Sequence, residues 1–382
     1  MEQTVLNLTR KWRSKKFKEI IGQDLVVKIL QNSLYKKAFF PVYLFSGQRG
    51  CGKTTTARVF AAAMNCSNLA QFQINPKAFQ IPCLDCDSCR AMTRMRHPDF
   101  VEIDAASYTG IDNIRNIIDT SSFLPVLSEK KIYLIDEVHM LSKAAFNAFL
   151  KILEEPPKFV VFILATTEIQ KIPETVRSRC FQLFFNSIPV VHVVQHLQAI
   201  CEQESIAYQE SALELIAQVS DGSLRDAINL LEQARFAGEQ VSRTVVCSVL
   251  GYVDDQYVYD MIIAILEKKD ELLLRCMDDL HKVSVATDYL VKRLQECMYD
   301  VMMIKYDVSP KYFLHIPDSV KKIVEKSDQA DLMYCFNELS LLDELLAKTG
   351  KKQLMLETKL LSMMIRHGDL DLSKKKIYEP TK

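Results

Sequence analysis

The sequence has few residues that interrupt regular structure, and it has no long apolar run. Only 10 of its 382 residues are glycine and 12 are proline, which argues against long disordered linkers. The longest apolar run, Phe159–Ala165, has seven residues, whereas a membrane-spanning helix needs about 20. The polar and basic N-terminus lacks the apolar core of a signal peptide. We therefore expect a cytoplasmic protein without a membrane partner, with about 150 residues in each of two or three domains.

The net charge is zero, but the charge is unevenly distributed. Residues 1–180 carry 25 Lys and Arg against 17 Asp and Glu, and residues 181–382 carry 23 against 31. The excess of positive charge in the N-terminal half is compatible with attraction to nucleic acid and equally with ordinary solvated charge. The 11 cysteines are an odd number, which in a cytoplasmic chain argues against a disulfide framework.

Short apolar runs alternate with helical stretches over the first 180 residues. The predicted strands are Val42–Ser46, Phe100–Asp104, Lys131–Asp136, Phe159–Ala165 and Cys180–Phe184. The predicted helices between them include Lys53–Met64, Ile111–Ser121 and Lys143–Leu153. This alternation predicts an α/β fold with a parallel sheet and helices on both faces. The strand pattern ends after Phe185.

The remainder of the chain has a helical pattern. Pro189–Glu204 and Ser211–Phe236 predict helices, and residues 241–365 predict more. One apolar stripe recurs at steps of three and four residues and predicts a face turned to a core. The stripe comprises Leu332, Cys335, Leu339, Leu342 and Leu346. Residues 369–382 predict a loose polar tail.

A glycine-rich loop follows the first predicted strand and precedes a predicted helix. It matches the pattern G-x-x-x-x-G-K-[ST] with Gly47, Gln48, Arg49, Gly50, Cys51, Gly52, Lys53 and Thr54, and Thr55 follows. In this setting backbone N–H groups surround phosphate oxygens, Lys53 contacts the β- and γ-phosphates, and Thr54 binds Mg²⁺. The helix N-terminus adds a favourable dipole. These residues predict a nucleotide site.

Two carboxylates, Asp136 and Glu137, end the predicted strand Lys131–Asp136. On their own they indicate only a strand followed by a solvated helix start. With the phosphate loop upstream, they place Asp136 near Mg²⁺ and Glu137 where it orients or deprotonates an attacking water. The combination favours nucleotide hydrolysis.

Four cysteines lie between the phosphate loop and the second predicted strand. Cys83, Cys86 and Cys89 have the spacing C-x-x-C-x-x-C, and Cys66 precedes them by 17 positions. Four thiolates suit a closed, structural, tetrahedral Zn²⁺ site. A bacterial iron–sulfur run would continue with a cysteine at the position of Thr93, which disfavours that alternative. Packed free thiols are the remaining alternative.

The phosphate loop, the inserted cysteines and the segment Asp136–Leu141 together resemble the gamma/tau family of the bacterial DNA polymerase III clamp loader, whose members are AAA+ ATPases. Further segments resemble that family: Ile20–Gln23, Glu102–Ser107, Asn147–Lys151, Leu153–Pro157, Ala165–Thr167, Ser178–Cys180, Gly222–Ala227 and, more weakly, Leu354–Thr358. Trp12, Arg13 and Ser14 stand where the family usually has Tyr-Arg-Pro. The resemblance is dense over residues 12–240.

The resemblance implies a division of the chain and a function. It implies an AAA+ domain over residues 1–180 with a zinc module at about 64–95, a helical lid over 181–242, a helical collar over 243–368 and a tail. It implies assembly with other clamp-loader subunits into a hetero-pentamer that uses ATP to open a sliding clamp and load it on primed DNA. The short C-terminus resembles the gamma form of the family.

The resemblance also implies roles for single residues. Thr167 would sense the γ-phosphate and help to hold the attacking water, and Arg179 would act on a neighbouring subunit's nucleotide. The implied nucleotide contacts are Arg13, Ile21, Gly22 and Arg225. The helix opening at residues 107–110, followed by Arg115, would contact the DNA backbone. Tyr108 and Gly110 stand where the family often has a basic residue, so the resemblance gives little support to side-chain contacts here and leaves backbone N–H contacts open.

Two alternatives belong to other classes. A non-hydrolysing scaffold subunit of the same complex would tend to lose the loop lysine or the acidic pair, and this chain keeps Lys53, Asp136 and Glu137. A different AAA+ motor, such as a branch-migration helicase, would lack the cysteine cluster. No nucleotidyl-transfer site is expected beyond the single ATP site, so the predicted chemistry is ATP hydrolysis.

Overall fold

The computed structural model describes residues 7–107, 111–251, 255–282, 287–313 and 316–364. These residues form two compact units, Met1–Arg243 and Thr244–Lys382. The expected DNA-contacting residues Tyr108 and Gly110 and the expected tail 369–382 lie outside the described residues. Among the residues described, no helix combines the length and the apolar character that crossing a bilayer requires.

A five-stranded sheet forms the centre of the first unit. Its strands are β1 (Val42–Gly47), β2 (Phe100–Asp104), β3 (Lys131–Asp136), β4 (Val160–Thr166) and β5 (Phe181–Phe185). The order across the sheet is β2-β3-β4-β1-β5, and all neighbours are parallel. The predicted parallel α/β fold is therefore confirmed. Strands β4 and β5 each begin one residue later than predicted.

Helices cover the sheet on both faces, as the continuous apolar strands require. The helices of the first unit, of which the last three pack against one another, are α1 (Leu8–Lys11), α2 (Asp24–Tyr35), α3 (Lys53–Met64), α4 (Leu69–Ile74), α5 (Asp87–Thr93), α6 (Ile111–Ser121), α7 (Lys143–Glu154), α8 (Glu174–Arg177), α9 (Val190–Gln203), α10 (Glu210–Val219) and α11 (Leu224–Ala237). Short 3₁₀ helices cover Phe17–Glu19, Val138–Met140 and Ile169–Lys171. Side chains alternate along β1, so Tyr43 packs with Phe60 on one face and Leu44 with Phe149 on the other.

One predicted helical stretch is interrupted. Ser211–Phe236 was expected to be helical throughout, but α10 ends at Val219 and α11 begins at Leu224. Asp221 and Gly222 have φ values of 45° and 77°, in the left-handed region that ends helices. A methyl group on Gly222 would lie 2.7 Å from Ser187 Cβ, so this break needs glycine.

The second unit is helical. Its helices are α12 (Arg243–Leu250), α13 (Asp255–Leu266), α14 (Asp270–Lys282), α15 (Thr287–Lys305), α16 (Asp318–Lys326), α17 (Gln329–Ala347) and α18 (Lys352–Met364). The predicted stripe from Leu332 to Leu346 is buried on α17 and contributes to the core of this unit. A buried carboxylate, Asp300, accepts the backbone N–H groups of residues 311–313.

Candidate nucleotide and metal sites

The phosphate loop joins β1 to α3 at the carboxyl edge of the sheet. Gly50 and Gly52 have φ values of 77° and 104°, so the loop uses conformations that favour glycine. A methyl group on Gly50 would lie 1.9 Å from Ser223 Oγ. The loop therefore approaches the start of α11 closely, and its glycines both shape it and make room for that approach.

Lys53 supplies a buried positive charge at the loop. Its side chain is 6% exposed, and Nζ donates hydrogen bonds to the carbonyl oxygens of Gly47 at 2.8 Å and Gln48 at 2.7 Å. Within the described part of the chain, no carboxylate lies within ion-pair distance of this ammonium. A buried charge normally has a counter-charge, so Lys53 together with the N-terminal N–H groups of α3 suits an anionic ligand such as phosphate.

Thr54, at the end of the phosphate loop, and Asp136, at the end of β3, are distant in sequence and adjacent in the structure. The Thr54 hydroxyl donates to Asp136 Oδ2 at 2.7 Å. Asp136 is the last residue of β3, and its Oδ1 accepts the N–H of Glu137 at 3.0 Å. A hydroxyl beside a carboxylate provides the hard oxygen ligands that Mg²⁺ prefers, so these residues fit the predicted magnesium site.

Glu137 is held by the strand next to its own. Its Oε2 accepts hydrogen bonds from Thr167 Oγ1 at 3.0 Å and from the Thr167 N–H at 3.3 Å. His139 Nδ1 lies 3.4 Å from the same oxygen and 3.0 Å from Thr166 Oγ1. The predicted base and the predicted sensor are thus in direct contact. Sequence reasoning missed His139, although its position two residues after Glu137 was a signal.

Three arginines, Arg13, Arg58 and Arg225, lie close to one another and to a single carboxylate, Glu102. Burial, the Arg58 charge and the Arg225 charge lower the pKa of Arg13, while Glu102 raises it. Arg58 makes a two-pronged ion pair with Glu102 at 2.6 and 2.8 Å. Arg13 and Arg225 have no ion-pair partner in the part of the chain that the structure describes. One carboxylate therefore faces several guanidinium groups, an imbalance that suits a polyanionic ligand.

The predicted adenine-side segment joins the loop to the start of the lid helices. Gly22 has a φ of 70°, and a methyl group there would lie 3.2 Å from Ile188. Gln23, which is 3% exposed, donates to the carbonyl oxygens of Cys51 at 3.2 Å and Asn186 at 2.7 Å. Asn186 N–H in turn donates to Gln23 Oε1. No periodic pattern in the sequence signalled this bridging role of Gln23.

The other residues predicted to contact the nucleotide differ in burial and in the element that carries them. Ile21 is half-buried, Arg49 is exposed on the loop, and Thr55 lies in the first turn of α3. Arg179 is exposed, and its guanidinium donates to the Thr175 carbonyl at 2.7 Å and to Glu154 Oε1 at 2.8 Å. The structure therefore does not bring Arg179 to the phosphate loop of its own chain.

The four predicted metal ligands form one cluster. The Sγ atoms of Cys66, Cys83, Cys86 and Cys89 all lie within 4.8 Å of one another. Cys83 Sγ accepts the N–H of Cys86 at 3.3 Å, and Cys86 Sγ accepts the N–H of Cys89 at 3.4 Å. The hydrogen bond between the Cys66 and Cys89 thiols lowers the pKa of Cys66 and raises the pKa of Cys89, so this pair favours one thiolate. Four converging sulfurs held by N–H groups fit one tetrahedral Zn²⁺.

Two family models and a number of solved structures match parts of the chain. Residues 22–189 match the family model described as DNA polymerase III, delta subunit. Residues 192–240 match the model of the DNA polymerase III clamp loader subunit, ATPase lid domain. A solved structure of the Thermotoga maritima RuvB Holliday junction branch migration motor is 19% identical with a TM-score of 0.46, covering 66% of this chain and 79% of that one.

The chain also resembles curated proteins along most of its length. It is 39% identical over 299 residues to the DNA polymerase III subunit tau/gamma of Haemophilus influenzae, covering 78% of this chain and 42% of that protein. It spans less than half the length of this relative and of the similar ones from Salmonella typhimurium and Escherichia coli. The gamma subunit of Buchnera aphidicola subsp. Baizongia pistaciae is 35% identical over 91% of both chains. The chain therefore belongs to the family of the gamma/tau subunits of DNA polymerase III.

Proposed function

We propose that this chain is an ATP-hydrolysing motor subunit of a clamp loader. The observation that carries the proposal is that three sets of groups suited to ATP binding and hydrolysis come together at the phosphate loop and the ends of β3 and β4. These groups are the buried ammonium of Lys53, the Thr54–Asp136 pair and the Glu137–Thr167 pair. A scaffold subunit has no need for such a set. Family membership supplies the context in which the set acts.

In the proposed reaction, the chain's own residues bind and orient ATP. The loop N–H groups and Lys53 hold the β- and γ-phosphates. Thr54 and Asp136 would hold Mg²⁺, which neutralises phosphate charge when bound. Glu137 orients and deprotonates the attacking water. Thr167 donates to the Glu137 carboxylate, so it sets the direction in which that carboxylate points.

Other residues extend the nucleotide site. Arg13 and Arg225 approach from the N-terminal segment and from α11, and their uncompensated charge supports contact with phosphate. Ile21 and Gly22 contact the base, and Arg49 and Thr55 complete the loop. Because Arg179 is exposed and bonds Thr175 and Glu154, we assign it to the nucleotide of a neighbouring subunit, as an arginine finger acts in trans.

The four-cysteine cluster would hold a structural Zn²⁺. Four thiolates leave no coordination position for a substrate, so the metal stabilises the zinc module at about 64–95 and takes no part in hydrolysis. In the proposed organisation, residues 1–180 form the AAA+ domain, 181–242 the lid and 243–368 the collar. Partner subunits, the sliding clamp and the backbone of primed DNA complete the cytoplasmic assembly.

Reconstituted clamp loading tests this proposal. The chain is assembled with its partner subunits, and a labelled sliding clamp is placed on primed circular DNA with ATP. We expect efficient loading with the wild-type chain. Glu137→Gln should reduce hydrolysis by roughly 10²- to 10⁴-fold and leave the closed clamp unreleased. Full loading by a loader in which every copy of this chain carries Glu137→Gln would contradict the proposal and favour a scaffold.

A further inference from the structure

An apolar segment, Phe123–Leu127, is exposed on the first unit between α6 and β3. Phe123, Leu124 and Val126 are 67%, 72% and 85% exposed. Exposed apolar surface costs free energy in water, so other interactions must hold the backbone in this conformation. These interactions are hydrogen bonds from the backbone amides that follow Pro125.

One buried carboxylate holds the backbone of the segment. Asp99 is 1% exposed and accepts the N–H groups of Val126 at 2.6 Å, Leu127 at 2.7 Å and Ser128 at 2.9 Å. Hydrogen bonds to a buried carboxylate are among the stronger ones in proteins. These three amides are therefore sensitive reporters of how firmly the segment is held.

A first connection runs from the metal cluster to this anchor. Ser88 lies in the first turn of α5, which we call the turn Cys86–Cys89. Its hydroxyl is 3.0 Å from His97 Nε2. His97 Nε2 is also 3.0 Å from the Ser128 hydroxyl. The N–H of Asp99 donates to His97 Nδ1, so in the neutral ring Nε2 carries the proton and donates towards the two serines. Ser88 and His97 are buried.

A second connection runs from the other side of the cluster. Asn65 precedes Cys66, and its side-chain Nδ2 donates to the Lys130 carbonyl at 2.8 Å. Lys130 N–H donates back to Asn65 Oδ1 at 3.1 Å. Both connections begin next to metal ligands, and they end at residues 128 and 130, directly after the apolar segment.

We propose that the zinc module is a brace that fixes the exposed segment Phe123–Leu127. Metal bound to the four cysteines keeps the turn Cys86–Cys89 and the Asn65–Cys66 pair in place, because the shared ion ties these two segments together and its removal leaves them unlinked. Those two elements then position Ser128 and Lys130. The inference rests on the proposed zinc site and gives that site a task separate from ATP hydrolysis.

Hydrogen exchange of the full chain, measured by mass spectrometry, tests the brace. The chain is compared as purified with Zn²⁺, after removal by a chelator and after zinc is restored, with zinc content measured each time. We expect chelation to accelerate exchange of the amides of residues 126–130 roughly tenfold, the factor that one or two lost buried hydrogen bonds produce. Peptides from the phosphate loop should not change, and restored zinc should reverse the effect.

Variants separate the brace from general destabilisation. The double variant Asn65→Ala and Ser88→Ala should retain zinc and still show faster exchange at residues 126–130. Thr93→Ala is the matched control, because it removes a hydroxyl bond within α5 that ends at Cys89. Unchanged exchange at 126–130 in the zinc-free chain or in the double variant would overturn the brace. Faster hydrogen exchange throughout the sheet on chelation would also overturn the brace, because it would show general destabilisation. A chain that binds no zinc would overturn the metal site and the brace together.

Discussion

At the scale of single residues, the proposed hydrolytic site depends on contacts between side chains that follow different strands. Glu137 adopts φ 47° and ψ 45°, a left-handed conformation that is rare outside glycine and frequent at functional sites. Its carboxylate is held by Thr167 on one side and lies close to His139 on the other. The carboxylate of this proposed base is therefore oriented by neighbours as well as by its own backbone.

Replacing the two contacting residues should show that they act as a unit. We expect Glu137→Gln to lower kcat by roughly 10²- to 10⁴-fold. Thr167→Val should lower kcat by about 10- to 100-fold, because the carboxylate loses one orienting donor. ATP affinity, measured with a fluorescent analogue, should change less than about twofold in both variants if the contact acts only on chemistry. The double variant should be no slower than Glu137→Gln, and additive losses would contradict the coupling.

Burial of His196 makes stability depend on pH. Its Nε2 is buried without a hydrogen-bond partner in the described residues, its ring packs edge-on against Trp12, and burial lowers its pKa below 6.5. The unfolded chain therefore binds a proton at His196 more readily than the folded chain does. The neutral, buried His196 contributes fully to the free energy of unfolding above about pH 6.5, and this contribution is lost as the pH falls through the lower pKa of His196 in the folded chain.

Denaturant unfolding of the wild-type chain and of His196→Phe, at several pH values from 8 to 5, measures this effect. The variant keeps an aromatic ring beside Trp12 and removes the titrating group, so its stability should fall less steeply on acidification than that of the wild-type chain. His192→Phe, at an exposed position on the same helix, is the control. Parallel curves for wild type and His196→Phe would contradict the assignment.

At the scale of secondary-structure elements, the phosphate loop and the start of α11 fit together closely. Ser223 caps α11, since its hydroxyl accepts the N–H of Asp226 at 3.3 Å, and it also faces Gly50. The N-terminal segment adds two contacts with the lid helices. Leu8 N–H donates to Glu232, and Trp12 Nε1 donates to Glu204 at 2.9 Å.

A paired substitution tests the contact between loop and lid helix. Gly50→Ala places a methyl group 1.9 Å from Ser223 Oγ and strains a φ of 77°, so ATP affinity should fall by about tenfold or more. Adding Ser223→Gly removes the clash while costing only a few tenths of a kcal/mol as a cap. We therefore expect partial recovery of affinity in the double variant. No recovery would show that the clash is not the cause.

Most elements of the first unit were predictable from sequence, and the contacts between distant elements were not. Strands such as β1 and β3 are buried apolar runs bounded by polar residues, and they matched their predicted positions to within one residue. The phosphate loop and the cysteine spacing are local motifs with a fixed geometry. Gln23 and His139 carry no periodic signal, because their roles arise only when distant segments meet. The break at Gly222 was hidden by helical residues on both sides.

At the scale of the whole molecule, Arg179 makes its contacts at the surface, with Thr175 and Glu154. Its ion pair with Glu154 is exposed, and such pairs contribute only about 0–1 kcal/mol to stability. The pair alone therefore gives this arginine no large structural role. Its proposed role is to neutralise charge on the nucleotide of a neighbouring subunit.

Arg179→Ala should distinguish these roles. We expect ATP affinity and thermal stability close to wild type, and a loss of hydrolysis of roughly 10³-fold confined to the assembled complex. Lys53→Met is the contrasting variant, because removal of the buried ammonium should weaken ATP binding in the isolated chain. Lys321→Ala, which removes another exposed ion pair, is the control. Equal loss of nucleotide binding in Arg179→Ala and Lys53→Met would contradict the trans assignment.

The central claim is that this chain converts ATP hydrolysis into clamp loading. Steady-state ATPase activity tests it most directly, with the purified chain mixed with its partner subunits, with and without sliding clamp and primed DNA. We predict low activity for the subunits alone and strong stimulation when clamp and DNA are added together. ATP that binds normally while the rate stays flat in the presence of both would contradict the motor assignment.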